Sequence, residues 1–137
     1  MNQKNEIPEE VVEAILSDNW KKVHAVLSKL AITGNANAEH FMGWFYEQGL
    51  EVKQSDKKAF EWWSKSASKG IVESQSGLAQ LYEKGRGTNT NFSEAYYWYS
   101  QAILNGDQEA QILISVLSNK MSTTELSNAR TLLQTKT

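Results

Sequence analysis

Apolar residues along this chain recur at spacings of three and four. Ala59, Trp62, Trp63 and Ala67 are one such run, and Met42, Phe45 and Tyr46 open another. That spacing places them on one face of an α-helix. The pattern predicts helices over 8–17 and 20–33, one ending at Gly49, one from Ser55 to Gly70, then 74–84 and 92–105. A further first-helix pattern runs from Ala110 to Leu117, and a last helix opens after Ser122. Helix stops and starts punctuate the runs. Gly49, Gly70 and Gly106 stand after the last periodic residue, while Ser55 and Asn91 suit N-caps. Pro8, Glu9 and Glu10 suit a helix start by preset φ and by charge. Ser122, Thr123, Thr124 and Glu125 have capping-box spacing, with Leu126, Ala129 and Leu133 as the apolar stripe behind them.

The runs repeat. FYEQGLE, Phe45 to Glu51, returns as LYEKGRG, Leu81 to Gly87, thirty-six residues later. The same shift lays Met42 on Leu78 and Ile114, Gly43 on Ala79 and Ser115, Phe45 on Leu81 and Leu117, Ala59 on Ala95, Trp62 on Trp98, and Trp63 on Tyr99. It also brings Gly34 onto Gly70 and then Gly106. A fixed period in the thirties marks stacked helical hairpins. The ruler predicts a degenerate first hairpin at 8–33, repeats at 38–73 and 74–109, and a capping hairpin at 110–137. A glycine in mid-helix costs ~1 kcal/mol relative to alanine. Gly43 and Ala79 are therefore expected to let the paired helices approach closely, meeting Ala59 and Ala95.

The residues Ala38, Met42, Gly43, Phe45, Tyr46, Glu47, Gly49, Ala59, Trp62, Trp63, Ala67 and Gly70, and their copies through Gly106, read A-x-x-x-L-G-x-L-Y-E-x-G-x-G followed by a D-x-x-K-A-x-x-W-Y helix. This resembles the Sel1-like repeat, a relative of the tetratricopeptide repeat. The resemblance implies an all-α fold, a short right-handed α/α solenoid of about four hairpins, with the first helix of each pair facing a concave side. Glu51 departs from it, standing where the motif has the second glycine that Gly87 keeps. If that position requires φ > 0, Glu51 is strained there or the 49–55 loop differs. Cysteine-bridged members of the family are a poor guide, because this chain has no cysteine.

Composition narrows the functional classes. The 137 residues suffice for one domain, and 40% hydrophobic content supplies a core. A net charge of −2 with scattered lysines argues against a phosphate-backbone partner. No apolar run reaches the ~18 residues of a membrane span, and MNQKNEIPEE has no apolar leader segment. These readings point to a cytoplasmic protein that binds neither nucleic acid nor membrane. The histidines are His24 and His40, and no ligand spacing for a metal, phosphate loop, nucleophile elbow or dinucleotide fingerprint occurs. His24 reads as a solvated residue on the polar side of its helix. The expectation is a protein without catalytic residues, metal or cofactor.

The candidate site is then the concave face, at first-helix positions that the motif leaves variable. These are His40, Phe41, Trp44 and Gln48, then Gly77, Gln80 and Lys84, then Leu113 and Val116. Trp44 has two readings, an exposed interface anchor or a residue packed on the first hairpin near Trp20 or Leu27; for Phe41 packing is favoured. Trp62, Trp63, Trp98 and Tyr99 occupy the motif's own aromatic positions and read as core, and one of Tyr96 and Tyr97 is expected to face solvent. A free-standing chain of this size carries no second domain to scaffold, so binding is the expected output. The resemblance implies, most concretely, a small bacterial immunity protein that neutralises a cognate toxin domain. The alternative is a general adaptor or regulatory scaffold in signalling or secretion.

Overall fold

The helix signals are met in a computed structural model that describes residues 3–136. After a 3-10 turn at Gln3–Asn5 come eight helices: α1 (Glu9–Leu16), α2 (Trp20–Ile32), α3 (Ala36–Gln48), α4 (Asp56–Ser68), α5 (Val72–Lys84), α6 (Phe92–Leu104), α7 (Glu109–Ser118) and α8 (Thr123–Thr135). The described residues contain no strand, and none of their helices is long and apolar enough to cross a membrane. The chain divides into two compact units, Met1–Ile71 and Val72–Thr137. α1 to α4 form the first and α5 to α8 the second.

Caps set the boundaries. Ser55 Oγ accepts from Lys58 N at 3.1 Å and Asn91 Oδ1 from Glu94 N at 3.0 Å. Ser122 and Glu125 cap each other reciprocally. Asn35 caps α3 by accepting from Ala38 N at 2.9 Å, so α3 starts at Ala36. Asn35 also donates to Glu6 O at 2.8 Å, and Asn5 Oδ1 accepts from Ala36 N at 2.8 Å. These bonds strap the N-terminal segment to the head of α3. Pro8 stands one position outside α1, as its N-cap residue, with Glu9 and Glu10 in the first turn.

In the first unit the core joins Val11 and Ala14 of α1, Val23, Leu27 and Ala31 of α2, and Ala38, Met42 and Phe45 of α3. The residue that closes most tightly on position 43 is Trp63. A Cβ built on Gly43 would lie 2.2 Å from Trp63 Cδ1, so only glycine admits the indole there. Trp63 Nε1 donates to His40 O at 3.0 Å, which fixes the ring. Thirty-six residues on, Ala79 shares a buried cluster with Ala95, as expected, and with Tyr99. A phenol is the smaller ring, and the methyl of alanine is accommodated. A second pair obeys the same register. Buried Glu39 accepts from Lys69 Nζ through both carboxylate oxygens at 2.8 Å, and at the equivalent positions Asn105 Nδ2 donates to Gln75 Oε1 at 3.0 Å. An ion pair and an amide pair thus occupy one structural slot.

The second unit ends differently. α8 lies against α6 and makes little contact along α7. Ser93 Oγ donates to Glu125 O at 2.8 Å, Lys136 Nζ pairs with Glu94 at 3.1 Å, and the same ammonium lies over the Tyr97 and Trp98 rings at 4.6 and 5.7 Å. Tyr97 is consequently buried and Tyr96 half-buried, so neither faces solvent freely. In the predicted stripe of α8, Ala129 is buried while Leu126 and Leu133 are half-buried.

The loops after α3 and α5 close alike. Leu50 N donates to Phe45 O and Ser55 N to Tyr46 O, as Arg86 N does to Leu81 O and Asn91 N to Tyr82 O. Glu51 therefore adopts φ +61°, the left-handed geometry that Gly87 adopts at +73°. The loop does not differ; the glutamate bears the strain. Left-handed geometry costs a non-glycine residue ~1–2 kcal/mol, and glycine returns part of this as unfolded-chain entropy. Glu51→Gly is expected to raise unfolding free energy by about 0.5–1 kcal/mol, measured by urea denaturation, whereas an unchanged or lower value would show the loop unstrained.

Candidate protein-binding faces

In the first unit the four α3 positions share one stripe but not one environment. The Trp44 indole is half-buried. It tilts against Trp20 with centroids 5.3 Å apart and meets Phe45 edge-on at 5.4 Å. It thus packs on the first hairpin while keeping one side open. His40 is stacked over Trp63 at 6.2 Å and touches Phe41 at 5.8 Å, and both are half-buried. Gln48 alone is exposed, its amide donating to the neighbouring Glu47 carboxylate. In the second unit Gln80 and Lys84 are exposed on α5 and Gly77 is half-buried. On α7, Leu113 packs against the core and Val116 is 49% exposed.

Sequence reasoning missed the most exposed apolar side chains. Leu16 and Ile32 in the first unit, and Leu104 and Ile112 in the second, are between 69% and 81% exposed. They fall outside the first-helix positions that the motif singles out, and only their departure from the helical stripe could have signalled them.

The repeat geometry is matched by known proteins. The Sel1 repeat family profile fits residues 36–71 and again 72–107, more than half of the chain. This chain belongs to the Sel1 repeat family. Solved structures agree. A Sel1 repeat protein from Oxalobacter formigenes superposes with a TM-score of 0.73 at 26% identity, covering 81% of this chain and 46% of its own. A protective antigen present in uropathogenic Escherichia coli strains, with an SLR fold, gives 0.79 at 26% identity, covering 84% and 25%. Helicobacter pylori cysteine rich protein B gives 0.64 at 27% identity, covering 68% and 70%. The present chain therefore spans about half the length of the first and a quarter of the second. The likeness to a cysteine-rich protein holds although this Sel1 chain has no cysteine. No curated protein matches the sequence. Sel1-repeat proteins mediate protein–protein interaction, and the repeat is typically a non-catalytic scaffold.

The polar clusters of this Sel1 chain are built for packing. Tyr99 donates its hydroxyl to Glu83 at 2.9 Å, and Lys120 pairs with the other carboxylate oxygen at 3.2 Å. Burial first, then the hydrogen bond to Glu83 and its charge, push the Tyr99 hydroxyl well above the ordinary phenol range. A nucleophile or base needs the opposite shift. Burial, and next the Glu94 charge, also raise Tyr82. His24 is not solvated; it is half-buried with its ring edge-on to Phe45 at 5.1 Å, and its Nε2 is buried without a hydrogen bond. The thirty-six-residue ruler aligns it with Phe60 and Tyr96, which was the available signal. Among the described residues no group of three His, Cys, Asp or Glu could hold a metal ion.

The tyrosine shifts set a pH dependence. The folded state holds these phenol protons more tightly than the unfolded chain does. Their stabilisation is therefore full below the unfolded value of about 10 and is lost as pH rises through the higher folded value. Unfolding free energy is expected to fall above about pH 10, and Tyr99→Phe to make that fall shallower, with Tyr82 acting in the same direction. Denaturant titrations between pH 8 and pH 11.5 on both proteins test this, and parallel curves would remove Tyr99 from the account.

Proposed function

We propose that this Sel1 chain is a non-enzymatic protein-binding module, and most concretely a small bacterial immunity protein, acting in the cytoplasm, that blocks a cognate toxin domain through its first-helix face. One observation carries the reading. On α3, half-open Trp44 is held between Trp20 and Phe45, with exposed Gln48 one turn further along the same stripe. An aromatic ring already fixed in the free protein loses little freedom on binding. Such anchors dominate interfaces, where truncation can cost ~2 kcal/mol or more. The solved relatives named above come from bacteria, and Sel1 repeats bind other proteins. A general adaptor in signalling or secretion is the second reading, favoured by the scaffold role typical of the repeat.

Trp44 is a poor probe by itself, because its contact with Trp20 makes Trp44→Ala a stability mutant too. Gln48 separates the two effects. Gln48→Arg is expected to leave Tm within about 2 °C, as exposed substitutions do. Expression of the natural protein should rescue cells poisoned by the product of an adjacent toxin gene, and Gln48→Arg should abolish the rescue. Several weak partners with no rescue would favour the adaptor, and substrate turnover lost on a single Glu or Ser substitution would end the binding-module reading.

A further inference from the structure

The repeat register assigns a function to a cleft inside the second unit. In the first repeat, the face of α3 that carries positions 39 and 43 receives α4: Trp63 seats on Gly43, and Lys69, six residues later, donates to Glu39. In the second repeat, the matching face of α5 receives α6: Tyr99 joins Ala79, and Asn105 donates to Gln75. The third copy of this face lies on α7, as Gln111, Ile114 and Ser115. Its partner helix does not cover it, because α8 is drawn onto α6 by Ser93, Glu94, Tyr97 and Trp98. Gln111 and Ser115 are exposed. Ile114 is half-exposed, whereas Met42 and Leu78 at the same register are 5% and 1% exposed.

The uncovered face forms one wall of a cleft of about 520 Å³. Its apolar lining is Tyr96, Ile103, Leu104, Ile114 and Leu133, its polar lining is serine and glutamine, and no charged side chain contributes. The cleft continues the packed interface of α6 and α7, since Tyr96, Ile103 and Ile114 also rest on the buried cluster around Tyr99. Leu104, at its rim, is 74% exposed.

We propose that this cleft docks an amphipathic α-helix of a partner protein, one that presents an aromatic side chain to Ser115 and a hydrogen-bond donor six residues later to Gln111. The spacing is the one that both repeats use internally. The uncharged lining calls for an apolar stripe with a neutral or singly cationic end. This site is separate from the α3 face, and the two readings fail independently.

The probe is a fluorescein-labelled peptide of the chain's own residues 55–69 carrying Trp63→Tyr, because Ser115 bears a Cβ as Ala79 does and Ala79 receives a phenol; Lys69 stands at the required spacing. A lactam between the side chains of Lys57 and Glu61, both exposed on α4, holds it helical. Anisotropy titration with the full chain is expected to show saturable binding. Ser115→Trp, which fills the cleft from an exposed position, should weaken it about tenfold or more, and so should a peptide with Trp63→Ala. The peptide variant leaves the protein untouched, so its result does not depend on the folding of Ser115→Trp. Absence of saturable binding, or equal affinity for both proteins and both peptides, overturns the proposal. So does sedimentation showing a second copy over the cleft, with a dimer lost in Ser115→Trp and no peptide bound.

Discussion

The fit of one indole over one glycine governs how the first repeat is built. Trp63 can seat against α3 only because position 43 has no side chain; a methyl there would stand 2.2 Å from the ring. Glycine in mid-helix gives up ~1 kcal/mol of helix propensity, and the packing of the largest side chain against the partner backbone offsets it. Trp63 then donates to His40 O and supports the His40 ring by stacking. His40, Phe41 and Trp44 inherit their positions from that contact and from the Trp20 contact on the other side.

The second repeat solves the same problem with different chemistry. Tyr99 and Ala79 replace Trp63 and Gly43, and Gln75 with Asn105 replaces Glu39 with Lys69. Both polar pairs tie the head of the first helix to the end of the second. The amide version carries no charge to desolvate. The ionic version leaves Lys69 partly in water while Glu39 is almost fully covered, with side chains 39% and 4% exposed. Loss of the lysine would strand a buried carboxylate, which is costly, whereas replacing the whole pair by amides is a change that this protein already tolerates one repeat later.

Helices, caps and register were legible in the sequence because a period of thirty-six makes each residue testify twice. Ser55 and Asn91, or Glu51 and Gly87, could be read against each other, and the left-handed geometry at Glu51 follows from its partner's glycine. Contacts between helices were less legible. Periodicity says that Gly43 faces a helix but not which residue closes on it, so the expectation named Ala59 and did not foresee Trp63. Glu39 looks like any solvated glutamate until Lys69 is known to reach it. His24 looks polar on its own helix and becomes a packing residue only against Phe45. The candidate face was legible as a stripe, but the Trp20 contact beneath Trp44 was one of two open readings. The departure of α8 from α7 depends on bonds to α6 that no repeat motif encodes.

If size matching between positions 43 and 63 sets the geometry, the two residues must be energetically coupled. A double-mutant cycle on Gly43→Ala and Trp63→Tyr, followed by chemical denaturation, tests this directly. Each single change is expected to cost about 2 kcal/mol, the first by overpacking and the second by a cavity with a lost hydrogen bond. The double mutant, which rebuilds the pair of the second repeat, should cost less than their sum by about 1 kcal/mol or more. Additivity within about 0.5 kcal/mol would contradict the account.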